Sequence, residues 1–243
     1  MRYGLISDIH ANLEALDAVL AELSSVDAFI CLGDIVGYGP DPGPCISRIR
    51  ELPRLTCIAG NHDLAAVDRY DLDLFNEYAR QAIVWTSEQL SLDDRSYLGS
   101  LPLTLELDGA TLVHGALPDH MGYILTVEDA AGTFREMPGP LCFVGHTHVA
   151  EYYRNRNGTS FYDQLSLYAG GSLALEPDLR YIINPGSIGQ PRDSNPFASF
   201  GIYDAGTRAV ETWRVPYDIA GVQEKMRQAD LPAYLVDRLA RGR

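Results

Sequence analysis

The chain has 243 residues, long enough for one large α/β domain with a full core. Hydrophobic residues make up 46% of it and charged ones 21%, the balance of a soluble globular protein rather than a disordered or fibrous one. Nineteen Lys and Arg stand against 33 Asp and Glu, a formal net charge of -14 that disfavours nonspecific nucleic-acid and anionic-membrane binding and leaves an anionic substrate in need of a local positive charge such as a bound metal.

Tyr3-Gly4-Leu5-Ile6 is a short apolar run with the pattern of a strand buried on both faces. It runs into Ser7-Asp8-Ile9-His10. If the extended backbone persists, Asp8 and His10 lie two apart and project together from the strand's carboxyl end, where open α/β sheets place ligands. Leu13, Leu16, Ala18, Leu20 and Leu23 suit an amphipathic helix capped by Asn12. A second buried strand, Ala28 to Leu32, precedes Gly33-Asp34 and an irregular Gly/Pro-rich loop from Gly37 to Gly43. A short helix from about Cys45 to Leu52 and a strand from Leu55 to Ala59 follow, the strand ending in the loop Gly60-Asn61-His62-Asp63. Three such strands separated by helices predict a βαβαβ half-fold with a parallel sheet.

Residues from about Leu74 to Leu90 read as a longer helix, with another near Asp93 to Leu98. Leu103 to Leu107 and Ala110 to His114 form a hairpin on Asp108-Gly109. Thr126 caps a further helix, and Leu141 to Val144 is a buried strand ending in Gly145-His146-Thr147-His148. A second hairpin is expected around Asn157-Gly158, then a Gly-rich piece at Gly170-Gly171. Tyr181-Ile182-Ile183 leads to Asn184-Pro185-Gly186-Ser187. Ser199 to Tyr203 and Val210 to Val215 form a last hairpin, and the tail from Ile219 is helical with a break at Pro232. With no internal repeat or linker, one domain over residues 1–243 is the simplest organisation.

Cys31, Cys45, Cys57 and Cys142 show no C-x-x-C spacing and read as small buried hydrophobes of a reducing compartment. No stretch approaches the roughly 18 apolar residues of a membrane span. The chain enters its first strand without a charged segment and apolar signal core, so a cytoplasmic location is expected.

Of six histidines, His10, His62, His114, His146 and His148 fall in polar loops after apolar strands, and only His120 lies elsewhere. Taken alone, each is most often a structural or surface residue, Asp34 a turn or cap aspartate, and Asn61 a turn residue. Together they spell D-x-H, G-D, G-N-H-D, H-G and G-H-x-H in order. This pattern resembles the calcineurin-like metallophosphoesterase superfamily, in particular its small bacterial and archaeal phosphodiesterase branch. Asn184-Pro185-Gly186-Ser187 is similar to that branch's late motif, and Ala11 departs from the glycine often found there. The resemblance runs from residue 1 to about 205, and 117–140 and 149–180 match no motif.

What the resemblance implies is an α/β fold of four layers, an αββα sandwich of two mixed β-sheets flanked by helices. It implies a first divalent ion on Asp8, His10, Asp34 and His148, and a second on Asp34, Asn61, His114 and His146, with Asp34 shared. Such a pair activates water for in-line attack at phosphorus, so no serine or cysteine nucleophile is needed. Imidazole with carboxylate or amide oxygen suits Mn, Fe, Zn, Co or Ni better than Mg or Ca. His62 is not a ligand in the family; it is placed to protonate the leaving oxygen or stabilise charge there. Asp63 either orients His62 or a neighbouring ligand, or is an exposed loop carboxylate. Arg192 is a candidate contact for substrate phosphate, against the alternative of a surface arginine paired with Asp193. Asn12 is a candidate substrate contact, against the alternative of a cap. Tyr38 and Tyr123 sit in loops that can line a pocket or simply pack.

The expected activity is hydrolysis of a small or nucleotide-like phosphate diester. Alternatives are a phosphomonoesterase, including a protein serine/threonine phosphatase, and a dinucleoside-polyphosphate hydrolase. A non-catalytic protein-binding scaffold also exists within the superfamily, but here His62 and every ligand position are present.

Overall fold

The structure is a computed structural model that describes residues 1–156, 159 and 162–243. In chain order come β1 (Arg2–Ile6), α1 (Leu13–Glu22), β2 (Ala28–Cys31), α2 (Pro42–Arg50), β3 (Leu55–Cys57) and the short α3 (Asn61–Ala65). A 3-10 turn at Leu72–Leu74 leads to α4 (Glu77–Gln89) and α5 (Leu92–Ser100). Then follow β4 (Thr104–Leu107), β5 (Ala110–Val113), α6 (Val127–Glu136), β6 (Leu141–Phe143), β7 (Ala150–Arg156) and β8 (Tyr162–Ser166). The chain closes with β9 (Gly171–Ala174), β10 (Leu179–Pro185), β11 (Ala198–Asp204), β12 (Ala209–Val215), α7 (Ile219–Gln228) and α8 (Ala233–Leu239).

Among the described residues the strands form two six-stranded sheets, ordered β3-β2-β1-β11-β12-β9 and β4-β5-β6-β10-β7-β8. The expected parallel half-fold is there: β1 pairs β2 and β2 pairs β3 in parallel, and β11 then joins β1 antiparallel. In the second sheet β5, β6 and β10 are parallel neighbours and the remaining pairs are antiparallel. Both sheets are therefore mixed.

The period-2 alternation of the strands assigns the layers. Tyr3, Leu5, Ala28 and Ile30 face Leu112, Phe143, Tyr181 and Ile183 in a core between the sheets. The intervening Ile6, Phe29 and Cys31 point the other way, onto Leu16 and Val19 of α1 and Ile46 and Ile49 of α2. Behind the second sheet, Ala130 and Phe134 of α6 cover Cys142, Tyr153 and Ile182. The order helix, sheet, sheet, helix is the expected αββα sandwich. Each fully buried Leu, Ile or Phe contributes about 1.5–3 kcal/mol relative to exposure, so two strand faces buried at once fix the register strongly.

The helices start where the sequence signals them. Asn12 accepts from the amide of Ala15 at 3.1 Å, and Thr126 and Asp129 form a reciprocal capping box for α6. Asp108 and Gly109 both have positive φ, the backbone that a two-residue hairpin turn between β4 and β5 requires. The four cysteines are free and buried, and no helix among the described residues is long and apolar enough to cross a membrane.

Several boundaries differ from expectation. The first strand stops at Ile6, and Asp8, His10 and Ala11 take left-handed backbone, so the strand does not carry Asp8 and His10. Pro42 opens α2 instead of closing a loop, because proline fits the first helical turn, where its missing N–H has no partner to lose. Asn61-His62-Asp63 is helical rather than a loop. The Leu74 end of the longer helix is a 3-10 turn, with helix proper from Glu77 under an Asn76 cap. The Gly-rich piece at Gly170-Gly171 leads into an edge strand that begins at Gly171. The turn expected around Asn157-Gly158 lies outside the described residues, while the strands flanking it, β7 and β8, pair antiparallel as expected.

Candidate metal centre

The carboxyl ends of β1, β2 and β3 in one sheet and of β5 and β6 in the other meet at one edge of the sandwich. Asp8 and His10 follow β1, Asp34 follows β2, Asn61 and His62 open the helix after β3, His114 follows β5, and His146 and His148 follow β6. All eight are buried. Donor atoms of Asp8, His10, Asp34 and His148 lie within 4.8 Å of one another, and so do those of Asp34, His114 and His146. Asp34 belongs to both groups.

The strand ends come this close because small residues and left-handed turns let them. Gly33 has φ +93°, and a Cβ there would sit 2.4 Å from the Gly60 nitrogen. A Cβ on Gly60 would lie 2.1 Å from Oδ1 of Asp34, so only glycine allows that carboxylate to lie against the β3 turn. Positive φ recurs at Asp8, His10, Asp34, His146 and His148. Those reversals, rather than extended strand, turn the side chains toward one point.

Hydrogen bonds decide which ring atoms face the cluster. Nδ1 of His10 faces the Val36 carbonyl at 3.1 Å, Nδ1 of His114 the Leu32 carbonyl at 2.7 Å, and Nδ1 of His148 the Gln190 carbonyl at 2.6 Å. A carbonyl only accepts, so each Nδ1 carries a hydrogen and each Nε2 faces the cluster, with a free lone pair whenever the ring is neutral. The Nε2 atoms of His10 and His148 are 3.0 Å apart. Two lone pairs that close repel each other, an arrangement that a shared cation relieves. Oδ2 of Asp34, Oδ1 of Asn61 and Nε2 of His114 are buried without a hydrogen-bond partner. Unpartnered buried polar atoms are costly, and here they cluster. Oδ2 of Asp34 is 3.3 Å from Nε2 of His114 and 3.6 Å from Nε2 of His10, between the two groups. The donor set, imidazole nitrogen with carboxylate and amide oxygen, fits a divalent transition metal.

The electrostatics agree. Burial pushes His10 and His148 well below the usual imidazole range and His146 down to about 3, keeping all three neutral and able to ligate. Burial acts on His114 in the same direction, but the Asp34 carboxylate outweighs it and pushes His114 up to about 10. Asp34 is correspondingly held well below the carboxylate range: burial would raise it, and His114 and His62 overcome that. In the protein alone a proton on His114 thus supplies the positive charge that Asp34 demands, and a bound cation displaces it.

Asp8 is fixed by its neighbours: both of its oxygens accept from the His146 amide at 3.1 and 3.2 Å, and the Ser7 hydroxyl donates to Oδ2 at 2.6 Å. The late motif is a brace for these loops. The Asn184 amide donates to the Gly145 carbonyl at 2.7 Å and to Oγ1 of Thr147 at 2.9 Å, and the Ser187 hydroxyl donates to the Asp8 carbonyl at 2.8 Å. One short segment spanning the end of β10 therefore clips the β1 and β6 loops together. Its motif is visible in the sequence, but its bracing role is not. Asn184→Ala is expected to weaken metal binding about 10–100-fold, read by titration of the metal-stripped protein, with the fold retained by circular dichroism.

His62 lies within the cluster without joining it. Its ring centroid is 4.8 Å from His10, 4.4 Å from Tyr38 and 5.0 Å from Phe75, its Nδ1 has no partner, and burial pushes it down to about 4. Its amide donates to Oδ1 of Asp34 at 2.9 Å, tying the α3 start to the shared carboxylate. Asp63 is neither exposed nor bonded to the His62 ring. It is fully buried and accepts from the amides of Gly60 at 3.0 Å and Val36 at 3.1 Å, joining the β2 and β3 loops. It positions backbone, which removes it from the groups that would touch substrate.

A cavity over the cluster is lined by Asp34, Asn61, His62, His146, His148, Tyr38, Arg192 and residues from 70–79 and 121–123. Arg192 faces this cavity, not Asp193: its Nη2 is 3.2 Å from both the Tyr38 hydroxyl and Oε1 of Gln190. Asp193 instead pairs with Arg214 from the adjacent β12, which reaches it from the strand side. Asn12 is not among the lining residues of the cavity; its amide is spent on Ala15 and, at 3.0 Å, on the Gly189 carbonyl. Tyr38 is buried against His10 and His62, while Tyr123 stacks on His146 at 3.9 Å. Tyr70, Phe75 and Met121 also line the cavity, and nothing in their sequence context singles them out.

Facing sheets whose strand ends converge on carboxylates and imidazoles form a candidate metal centre, and what class of protein carries it follows from the chain's relatives. The family model of the calcineurin-like phosphoesterase superfamily domain matches residues 1–208, and the chain belongs to that superfamily. An uncharacterized protein of Methanocaldococcus jannaschii is 38% identical over 247 residues, covering 99% of this chain and 98% of that one. The crystal structure of a metallophosphoesterase from Sphaerobacter thermophilus superposes with a TM-score of 0.91 at 45% identity, covering 100% of this chain and 99% of that one. A hypothetical protein from Pyrococcus horikoshii shares the fold, with a TM-score of 0.82 at 21% identity over 100% of this chain and 98% of that one.

Proposed function

We propose that residues 1–243 form one catalytic domain, a phosphodiesterase working with two divalent transition-metal ions. Asp8, His10, Asp34 and His148 hold one ion, and Asp34, Asn61, His114 and His146 the other. Manganese, iron, zinc, cobalt and nickel all suit this donor set. The observation that carries the reading is Asp34: one carboxylate common to two ligand groups, with its Oδ2 unpartnered between them. When bound, such ions supply Lewis acidity that activates water and neutralises charge at phosphorus.

The chain's own residues do the rest. His62 offers a ring N–H to the departing oxygen. Arg192, positioned by Tyr38 and Gln190, holds a non-bridging phosphate oxygen. Arg192 is the only Lys or Arg among the cavity-lining residues, in a chain of net charge -14. That charge balance favours a singly charged diester over a doubly charged monoester or a polyphosphate. Four free buried cysteines suit a reducing cytoplasm.

The test is metal analysis of the purified protein joined to a side-by-side assay of diesters and monoesters after loading each metal. Close to two metal equivalents and faster diester turnover are expected. Stronger monoester turnover would reverse the substrate order, and a single tightly held ion would remove the dinuclear reading.

A further inference from the structure

The geometry points to a ring-binding slot beside His62, walled by Phe75 and Tyr70 and faced by Tyr123, that takes a flat aromatic group carried by the departing alcohol of the ester. This rests on the phosphodiesterase reading and deepens it to a substrate class. Phe75 meets the His62 ring edge-on, centroids 5.0 Å apart at 77°, and Tyr70 meets Phe75 at 5.8 Å and 81°. Tyr123 comes from a different element, the loop before α6, and its ring lies on His146 at 3.9 Å and 26°. All three line the same cavity as His62 and Arg192. One wall thus grows from the group that serves the departing oxygen, and that wall is aromatic.

Tyr70 and Phe75 are half-buried against the neighbouring core and still line the cavity. Tyr123 is 51% exposed and Leu74, on the same cavity rim, 67% exposed. Apolar surface left open around a polar floor marks a place where a ligand covers it. The floor is charged and the walls are flat and neutral, so the fitting molecule has an anionic end and a planar uncharged end. A nucleoside or aryl alkoxide has that shape, and stacking against such walls tolerates many ring identities. Asn76 adds one polar point: its Oδ1 caps α4, so it offers the cavity its amide N–H, a donor for a ring acceptor.

In the reaction, water's oxygen joins phosphorus, the bond from phosphorus to the departing alkoxide breaks, and the alkoxide leaves as the alcohol with the proton that the water gave up. A diester with two unlike alcohols of similar acidity therefore reports which side the slot serves. With methyl benzyl phosphate and the metal-loaded protein, benzyl alcohol is expected to be released over methanol by roughly tenfold or more, the size of one good stacking contact. Phe75→Leu and Tyr70→Leu, which keep apolar bulk but lose the ring, should bring the ratio near one with metal content unchanged, while Phe75→Tyr should keep it. Equal release by the unmodified protein, or a ratio indifferent to both leucine variants, overturns the slot alone. Release of neither alcohol under any metal overturns the phosphodiesterase reading and the slot with it.

Discussion

Asp34→Ala is expected to lose both metal equivalents together and to lower turnover by about a thousandfold or more. Asp34 contributes to both ligand groups, and its Oδ2 stands 3.3 Å from His114 and 3.6 Å from His10. Removing it leaves three donors at each position and no bridge. The charge stabilisation at phosphorus that a proposed pair of ions would supply is worth several kcal/mol, and about 1.4 kcal/mol is a factor of ten in rate. Elemental analysis of the purified variant checks the first half and steady-state kinetics the second. A variant that keeps two ions contradicts the bridge. Asp34 also accepts the His62 amide, so Asp34→Asn is the companion that keeps that hydrogen bond and isolates the loss of charge.

His62→Ala is expected to separate binding from chemistry. Its ring is close to His10 yet belongs to neither ligand group, so both ions should remain. The rate with an unactivated alkyl leaving group should fall about 10²–10⁴-fold, the usual contribution of a positioned proton donor. With a nitrophenolate leaving group, which departs without a proton, the loss should shrink by an order of magnitude or more. An equal loss for both substrates would make His62 a packing residue. Its ring also fills space beside Gly37, Tyr38 and Phe75, so His62→Asn, which leaves a smaller hole, controls for that.

The clustering of Asp8, His10, Asp34, His114, His146 and His148 was legible because each follows an apolar run and the short motifs keep their order. Strands buried on both faces made the parallel half-fold legible, while the pairing of two sheets into a sandwich came from the family resemblance. What the sequence hid is how the loops turn. Two residues apart on a strand would have aligned Asp8 and His10, whereas the chain leaves β1 at Ile6 and aligns them through left-handed backbone. Asp63 was ambiguous because its partners, Gly60 and Val36, are backbone amides from two separate loops. Arg192 and Asp193 looked like a neighbouring pair, but β12 delivers Arg214 to the same carboxylate and frees Arg192 for the cavity. The aromatic walls were hidden because Tyr70, Phe75 and Tyr123 meet only through tertiary structure.

The left-handed backbone at Asp8, His10, Asp34, His146 and His148 sets activity against folding stability at this edge of the molecule. Each such position costs an L-residue roughly 1 kcal/mol that glycine would not incur. A divalent ion that binds only the folded site offsets that cost by mass action, so adding Mn or Zn to metal-free protein is expected to raise its melting temperature.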